Sequence, residues 1–266
     1  MKGLAVSNIA WPISEDDAVA KALISLDVRA IEIAPTKLFP SPAEASDVDI
    51  DECRKQWSDR GLEIVAAQAL LFGHPELTIF DDPATRARTR EYLQRIIHVC
   101  AQLGAKALVF GSPKNRLAKG RDVSAEAVEF FGQLARDAAQ EGTAIVMEAN
   151  PTDYGADFVT RAMEALNLVK AVDHLGFRLH LDTACMTLAG DSIKEVFDAG
   201  FKLLCHFHVS EPQLAPIGAG GIDHAAFARE LKPRHYEHWV SIEMREMQPF
   251  DLDAIKNAVR LVQSAY

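Results

Sequence analysis

The chain has 266 residues, of which 48% are hydrophobic, and a formal net charge of −10. This is enough apolar material for a sizeable core in one or two domains, and the acidic balance argues against nucleic acid or an anionic membrane as a partner. No run approaches the roughly 20 apolar residues of a membrane helix, and the N-terminal segment is too soon interrupted for a signal peptide. The four cysteines show no zinc-type pairing, so we expect a reducing, cytoplasmic location.

Short apolar runs, each bounded by glycine, proline or polar turn residues, alternate with longer amphipathic segments along the chain. The runs predict strands at Gly3–Ser7, Arg29–Ala34, Leu62–Ala69, Ala107–Gly111, Ala144–Glu148, Phe177–Asp182, Leu203–His208 and Trp239–Glu243. The amphipathic segments predict helices that begin near Ser14, Ile50, Pro83, Ser124, Phe158, Ser192, Asp223 and Leu252. We expect side-chain caps at two of these helices, from Ser14 with Asp17 and from Ser124.

Eight strand–helix units in 266 residues leave roughly 33 residues per unit, which is the size of a βα unit. Such alternation is typical of parallel strands that are joined by right-handed crossovers. Eight units that close on themselves form a (β/α)8 TIM barrel, whose functional site lies at the carboxyl ends of the strands. No linker or low-complexity stretch divides the chain, so we predict a single α/β domain over residues 1–266.

The last four predicted strands each end in an ionisable residue, namely Glu148, Asp182, His208 and Glu243. A carboxylate at the tip of an apolar strand is costly to desolvate unless something neutralises it. Taken alone, any one of these residues is most simply a helix cap or part of a surface salt bridge. Together they predict one divalent metal ion, because carboxylate-rich sites suit Mn²⁺ or Mg²⁺ and mixed nitrogen and oxygen sites also accept Co²⁺ or Zn²⁺.

Further candidates follow from the alternation of side chains along a strand, which places residues two apart on one face. His206 and His180 then point inward one layer below the metal ligands, where each supports the site or is a satisfied core residue. The candidate substrate contacts, at inward, rim or loop positions, are Glu32, Gln68, Arg116, His180 and Arg245. Arg116 lies in the stretch SPKNR, which is either a solvated loop or a contact to a polar or phosphorylated substrate.

These stretches resemble the xylose-isomerase-like TIM-barrel superfamily of sugar-phosphate isomerases and epimerases. The resemblance is carried by SNIAW, IEIAP, VFGSPKNR, VMEANP, LHLDT, CHFHVSEP and SIEMR. The order Glu, Asp, His, Glu on strands five to eight is similar to the metal site of the ketose 3-epimerases. The resemblance implies that the four residues bind Mn²⁺ or a similar ion, that Glu148 and Glu243 are the catalytic acid/base pair, and that the chain forms a homodimer or homotetramer.

Two positions depart from the ketose 3-epimerases. Cys185 stands where they usually carry a His, and Leu214 stands where they carry an Arg. Our hypothesis is a metal-dependent isomerase or epimerase of a ketose or a related polyhydroxy carbonyl sugar, acting through a metal-stabilised enediolate. The alternatives are a lyase or dehydratase that acts on an oxo-sugar or inosose through the same enolate, and a barrel with a binding or regulatory role and a structural metal. A DNA-repair endonuclease of the superfamily is disfavoured by the charge of −10.

Overall fold

The computed structural model describes residues 1–266. Its strands are β1 (Gly3–Ser7), β2 (Ala30–Ile33), β3 (Glu63–Ala67), β4 (Ala107–Phe110), β5 (Ala144–Met147), β6 (Phe177–Asp182), β7 (Leu204–Ser210) and β8 (Trp239–Glu243). Neighbouring strands pair in chain order, all in parallel, and β8 pairs with β1. The predicted (β/α)8 barrel is therefore confirmed.

Helices follow the strands and surround the barrel. They are α1 (Asp16–Ser25), α2 (Pro35–Leu38), α3 (Asp47–Asp59), α4 (Pro83–Leu103), α5 (Ser124–Gln140), α6 (Ala162–Val172), α7 (Thr183–Leu188), α8 (Ile193–Gly200), α9 (His224–Leu231) and α10 (Leu252–Ala265). The sequence pattern missed α2 and α7, because both are too short to show a helical period. No helix is both long enough and apolar enough to cross a membrane.

The two predicted side-chain caps are wrong. A 3₁₀ turn, Ile13–Glu15, comes before α1, and no side chain caps that helix. Ser124 is the first residue of α5, and its backbone N–H donates to the Asp122 carboxylate at 3.0 Å. In the second case an acid two residues upstream accepts from the free backbone donor, so the serine hydroxyl is not needed there.

The core lies mainly between the barrel and its helices, where 67 buried residues form one continuous cluster. A second cluster of seven small or β-branched residues, including Ala5, Ala30 and Val146, fills part of the barrel interior. The inward positions next along these strands are the polar residues Glu32 and Glu148. The apolar side chains therefore fill the lower part of the barrel interior, and polar side chains take their place toward the carboxyl ends of the strands.

Candidate metal centre

The structure brings the four predicted metal ligands together at the carboxyl end of the barrel. One donor atom from each of Glu148, Asp182, His208 and Glu243 lies within 4.8 Å of the others. Strand register accounts for part of this arrangement, since Asp182 in β6 is directly opposite His208 in β7. Glu243 ends β8 and is opposite Ser210, two residues after that histidine.

Three carboxyl groups in this confined space repel one another. Burial, together with the charges of Glu243 and Asp182, raises the pKa of Glu148 to about 8. Burial also raises the pKa of Glu243. The His208 Nδ1 atom lies 3.3 Å from Glu243 Oε2 but is not aligned for a hydrogen bond and has no other partner. Three carboxylates and an imidazole nitrogen that converge in this way fit a divalent cation.

Neighbouring side chains fix the orientation of two of the carboxylates. Asp182 accepts hydrogen bonds from the Ser210 hydroxyl at 2.5 Å and from the Cys185 backbone N–H at 2.6 Å. Asn150 Nδ2 donates to Glu148 Oε2 at 3.2 Å. The sequence analysis missed Ser210 and Asn150. Each follows a predicted ligand by two residues, so the alternation rule that placed the ligands could have found them.

Glu32 lies below the centre and is fully buried. Its Oε2 atom is 2.8 Å from His208 Nε2 and 3.2 Å from His206 Nε2. Burial raises the pKa of Glu32, but the two histidines outweigh it and hold that pKa well below its usual range. Glu32, predicted as a substrate contact, does not line the cavity described below and contacts these two histidines instead. His206 occupies the deeper layer where the sequence placed it.

Two other predicted substrate contacts also lie outside the cavity wall. His180 is buried, its Nε2 is 3.7 Å from Glu148 Oε1, and neither ring nitrogen has a hydrogen-bond partner. Burial lowers the pKa of His180 well below its usual range, so the ring is neutral. Arg245 is exposed beyond the end of β8, and its backbone N–H donates to the Leu214 carbonyl at 2.9 Å. Neither residue lines the cavity in this geometry.

Arg116, predicted to contact substrate, is buried with 1% of its surface exposed and does not line the cavity described below. Its guanidinium donates to Asn150 Oδ1 and to the carbonyl oxygens of Phe110, Glu148 and Phe158. Burial lowers the pKa of Arg116 to about 10, which still leaves the group charged at neutral pH. Arg116 therefore ties together the chain segments that leave β4 and β5.

A cavity of about 590 Å³ opens above the four converging side chains. Its floor includes Glu148, Asp182 and Glu243, and among the predicted substrate contacts only Gln68 lines it. The other cavity-lining side chains include Phe72, Lys114, Tyr154, Cys185, Glu211 and Leu214. A volume of this size is in the range that takes small-molecule ligands, roughly 300–1,000 Å³.

Gly111 follows β4 beside this floor. A Cβ atom at this position would lie 1.8 Å from Glu148 Oε2, a distance that no real contact allows. The absence of a side chain at Gly111 is therefore what leaves room for the carboxylate of Glu148.

Glu211 is a buried acid that the sequence analysis did not single out. It accepts hydrogen bonds from the backbone N–H groups of Gly218 at 2.8 Å and Ile222 at 3.4 Å, and it lies 3.1 Å from His224 Nε2. These contacts hold the loop after β7 against the barrel. No periodicity marks such a residue, because its partners are backbone groups of an irregular loop.

The raised pKa values predict how the stability of metal-free protein depends on pH. A carboxyl whose pKa rises from 4.5 to about 8 on folding binds protons more tightly in the native state, so stability falls as pH rises through that range. His208 also makes stability fall as the pH rises above 6.5. Burial lowers the pKa of this histidine, but the charges of Glu32 and Glu243 outweigh burial and raise that pKa well above its usual value. We expect the melting temperature of chelated protein to fall between about pH 6.5 and pH 8, and the increase on adding Mn²⁺ to be larger at pH 8.

Scanning calorimetry at both pH values measures these melting temperatures. Glu148→Gln removes the main titrating group and should flatten the profile. A metal-free melting temperature that is the same at both pH values in the unmodified chain would contradict the prediction.

Eight parallel strands, with a metal-type donor set at their carboxyl ends, define a (β/α)8 barrel of the kind that carries its site at this face. A family model described as the xylose isomerase-like TIM barrel matches residues 20–265. The chain belongs to this family, as the resemblance of its motifs predicted.

Solved structures with the same fold cover nearly the whole chain. D-psicose 3-epimerase from Clostridium cellulolyticum H10, solved with D-tagatose, is 17% identical with a TM-score of 0.81, and 99% of each chain is covered. The 3-keto-D-glucoside 4-epimerase from E. coli is 17% identical with a TM-score of 0.80, covering 99% of this chain and 100% of that one. The IolI protein with a bound zinc atom is 18% identical with a TM-score of 0.70, covering 99% and 96%. A search of curated protein sequences gives no significant match.

Proposed function

We propose that the protein is a metal-dependent isomerase or epimerase of a polyhydroxy carbonyl sugar. The observation that carries this proposal is the convergence of two glutamates, Glu148 and Glu243, with Asp182 and His208 beneath one cavity. The structures with this fold support the choice of substrate class, since they include a D-psicose 3-epimerase and a 3-keto-D-glucoside 4-epimerase. A zinc atom in the IolI structure supports a metal at this kind of site.

Glu148, Asp182, His208 and Glu243 would hold the ion, and we propose Mn²⁺ from the excess of carboxylate donors. A divalent ion in this position supplies Lewis acidity, which polarises a substrate carbonyl and acidifies the neighbouring C–H. This acidification matters because an unperturbed glutamate, with a pKa near 4.3, is a weak base toward carbon.

The two glutamates divide the proton transfers. Glu148 follows β5 and Glu243 ends β8, which is three strands further round the closed barrel, so the two carboxyl groups reach the cavity floor from different directions. One carboxylate removes the proton from the substrate carbon, and the other returns a proton to the opposite face of the planar enediolate. Asn150 holds the Glu148 carboxylate in place with its amide hydrogen bond. The Glu243 Oε2 atom lies 3.3 Å from His208 Nδ1.

The cavity wall bears on which sugar fits. Cys185 is buried, and burial together with Asp182 raises the pKa of its thiol well above the usual value, so it presents a neutral group. Leu214 adds an apolar side chain to the wall. Gln68 and Tyr154 supply polar contacts that suit sugar hydroxyls. The substrate we propose therefore meets no cation at positions 185 and 214.

Incubation of the protein with Mn²⁺, a panel of ketoses and oxo-sugars, and deuterated water tests the proposal. Mass spectrometry should show a product whose mass exceeds that of the substrate only by one deuterium. This is the mass of an epimer or isomer that has taken up deuterium at the carbon next to the carbonyl. Loss of water or of a larger leaving group would instead identify a lyase. No deuterium uptake with any member of the panel, from protein shown to be metal-loaded, would contradict an enediolate mechanism.

A further inference from the structure

The polar layer below the candidate metal centre contains one carboxylate with no solvent contact. Glu32 is 0% exposed, and its only hydrogen-bond partners are the Nε2 atoms of His206 and His208. A buried carboxylate is costly unless it is paired. The apolar residues that fill part of the barrel interior end at Ala30, the inward position just before Glu32 on β2.

The two ring nitrogens of His208 face different groups. Its Nε2 is 2.8 Å from Glu32 Oε2, below the site. Its Nδ1 faces Glu243 Oε2 at 3.3 Å, within the site, and lacks a hydrogen-bond partner. An imidazole that binds a metal through one nitrogen carries its proton on the other, and the acceptor of that proton determines which nitrogen is the ligand.

We propose that Glu32 is a positioning residue: it accepts the Nε2–H of His208 and thereby directs Nδ1 of that ring to the metal. His206 donates to the same Oε2 atom, so two histidines hold this oxygen, whereas Oε1 has no partner that would turn the carboxylate the other way. This inference rests on the proposed function, since it requires a metal among the four ligands. It assigns Glu32 the role of orienting His208, a proposed metal ligand, without contact to the substrate.

Glu32→Gln tests the proposal, because glutamine keeps the size of the side chain but loses the charge. The Mn²⁺ affinity of this variant should fall by about 10- to 100-fold, the usual effect of removing a partner of a metal-ligating histidine. Ser241→Ala is the matched control. Ser241 is fully buried, pairs in register with His208, and its hydroxyl has no partner. The control should therefore bind Mn²⁺ as the unmodified chain does.

A second measurement distinguishes positioning from general support of the fold. In ¹⁵N NMR spectra of the Zn²⁺-loaded protein, His208 should show a protonated Nε2 and a metal-bound Nδ1. In Glu32→Gln, these signals should lose intensity or be accompanied by signals of the opposite arrangement, with Nε2 bound to the metal. Circular dichroism of the variant reports whether the barrel itself is intact. Glu32→Asp, which keeps the charge, should recover more Mn²⁺ affinity than Glu32→Gln.

Three outcomes would overturn the inference. Unchanged Mn²⁺ affinity in folded Glu32→Gln would remove the role of Glu32 and leave the proposed function untouched. Metal bound at Nε2 of His208 would reverse the orientation we assign. Two ions per chain, falling to one in Glu32→Gln, would make Glu32 a ligand of a second site, because Glu32, His206 and His208 also offer donor atoms within 4.8 Å of one another. Protein that binds no divalent ion at all would instead remove the proposed function itself.

Discussion

Glu148→Gln and Glu243→Gln should each lower turnover by at least roughly 10²- to 10⁴-fold, the contribution of a positioned acid or base. Glutamine retains an oxygen that can coordinate a metal but cannot accept a proton as a carboxylate does. Both variants should therefore keep substantial metal, and the loss should appear in kcat. Metal content by elemental analysis, measured on the same samples as turnover, separates the two effects.

One of the two variants should still exchange the hydrogen next to the carbonyl with deuterated water without inverting the carbon, because the surviving glutamate can remove and return a proton on its own face. Glu63→Gln is a suitable control, since Glu63 is exposed at the opposite end of β3 and should leave turnover unchanged. If both variants turn over near normally at full metal occupancy, a one-base or lyase-type scheme must replace the two-glutamate mechanism.

Removal of the cation should abolish activity, and each ligand should matter for affinity. Asp182→Asn and His208→Ala should each weaken Mn²⁺ binding by about 10- to 100-fold or more, since both disturb the donor set directly. Titration of chelated protein with Mn²⁺, followed by calorimetry, measures this change. Purified protein should contain about one divalent ion per chain.

The control for metal binding is a variant with all four ligands replaced by alanine. This variant should bind no Mn²⁺ at the centre and, once chelated, should lack the pH-dependent loss of stability, because the repelling carboxyls are gone. Full metal occupancy in this variant, if it remains folded, would end the proposal.

The sequence predicted the barrel and the meeting point of Glu148, Asp182, His208 and Glu243 because both depend on simple repeats. Strands recur at a regular spacing, and their carboxyl ends meet at one face whatever the details of the helices. Alternation also placed His206 correctly, one layer deeper in the barrel than His208. These features need no knowledge of distances.

Alternation gives the face of a side chain but not its depth, and this explains why two predicted substrate contacts do not line the cavity. Glu32 shares its inward direction with cavity-lining residues, yet it lies a layer lower, and the pairing of β2 with β3 shifts by one residue immediately before it. Arg245 was placed by continuing the alternation of β8, but β8 ends at Glu243, so the rule no longer applies.

Arg116 shows a different limit. A charged residue in a polar loop is usually solvated or ligand-binding, and nothing in SPKNR indicates burial. The structure buries it because carbonyl groups at the ends of β4 and β5 need donors once they leave the sheet. That requirement comes from the three-dimensional arrangement of strand ends and is not visible in a local pattern.

The close approach of Gly111 to Glu148 has an evolutionary consequence. Because even a methyl group at position 111 would occupy the place of the Glu148 carboxylate, the two positions form an epistatic pair: a side chain gained at position 111 requires the carboxylate at position 148 to move or be lost. A lineage that keeps the Glu148 carboxylate in this position must therefore keep the glycine. In related chains, a larger residue aligned with Gly111 would mark a barrel in which the carboxylate after the fifth strand has been lost or has moved.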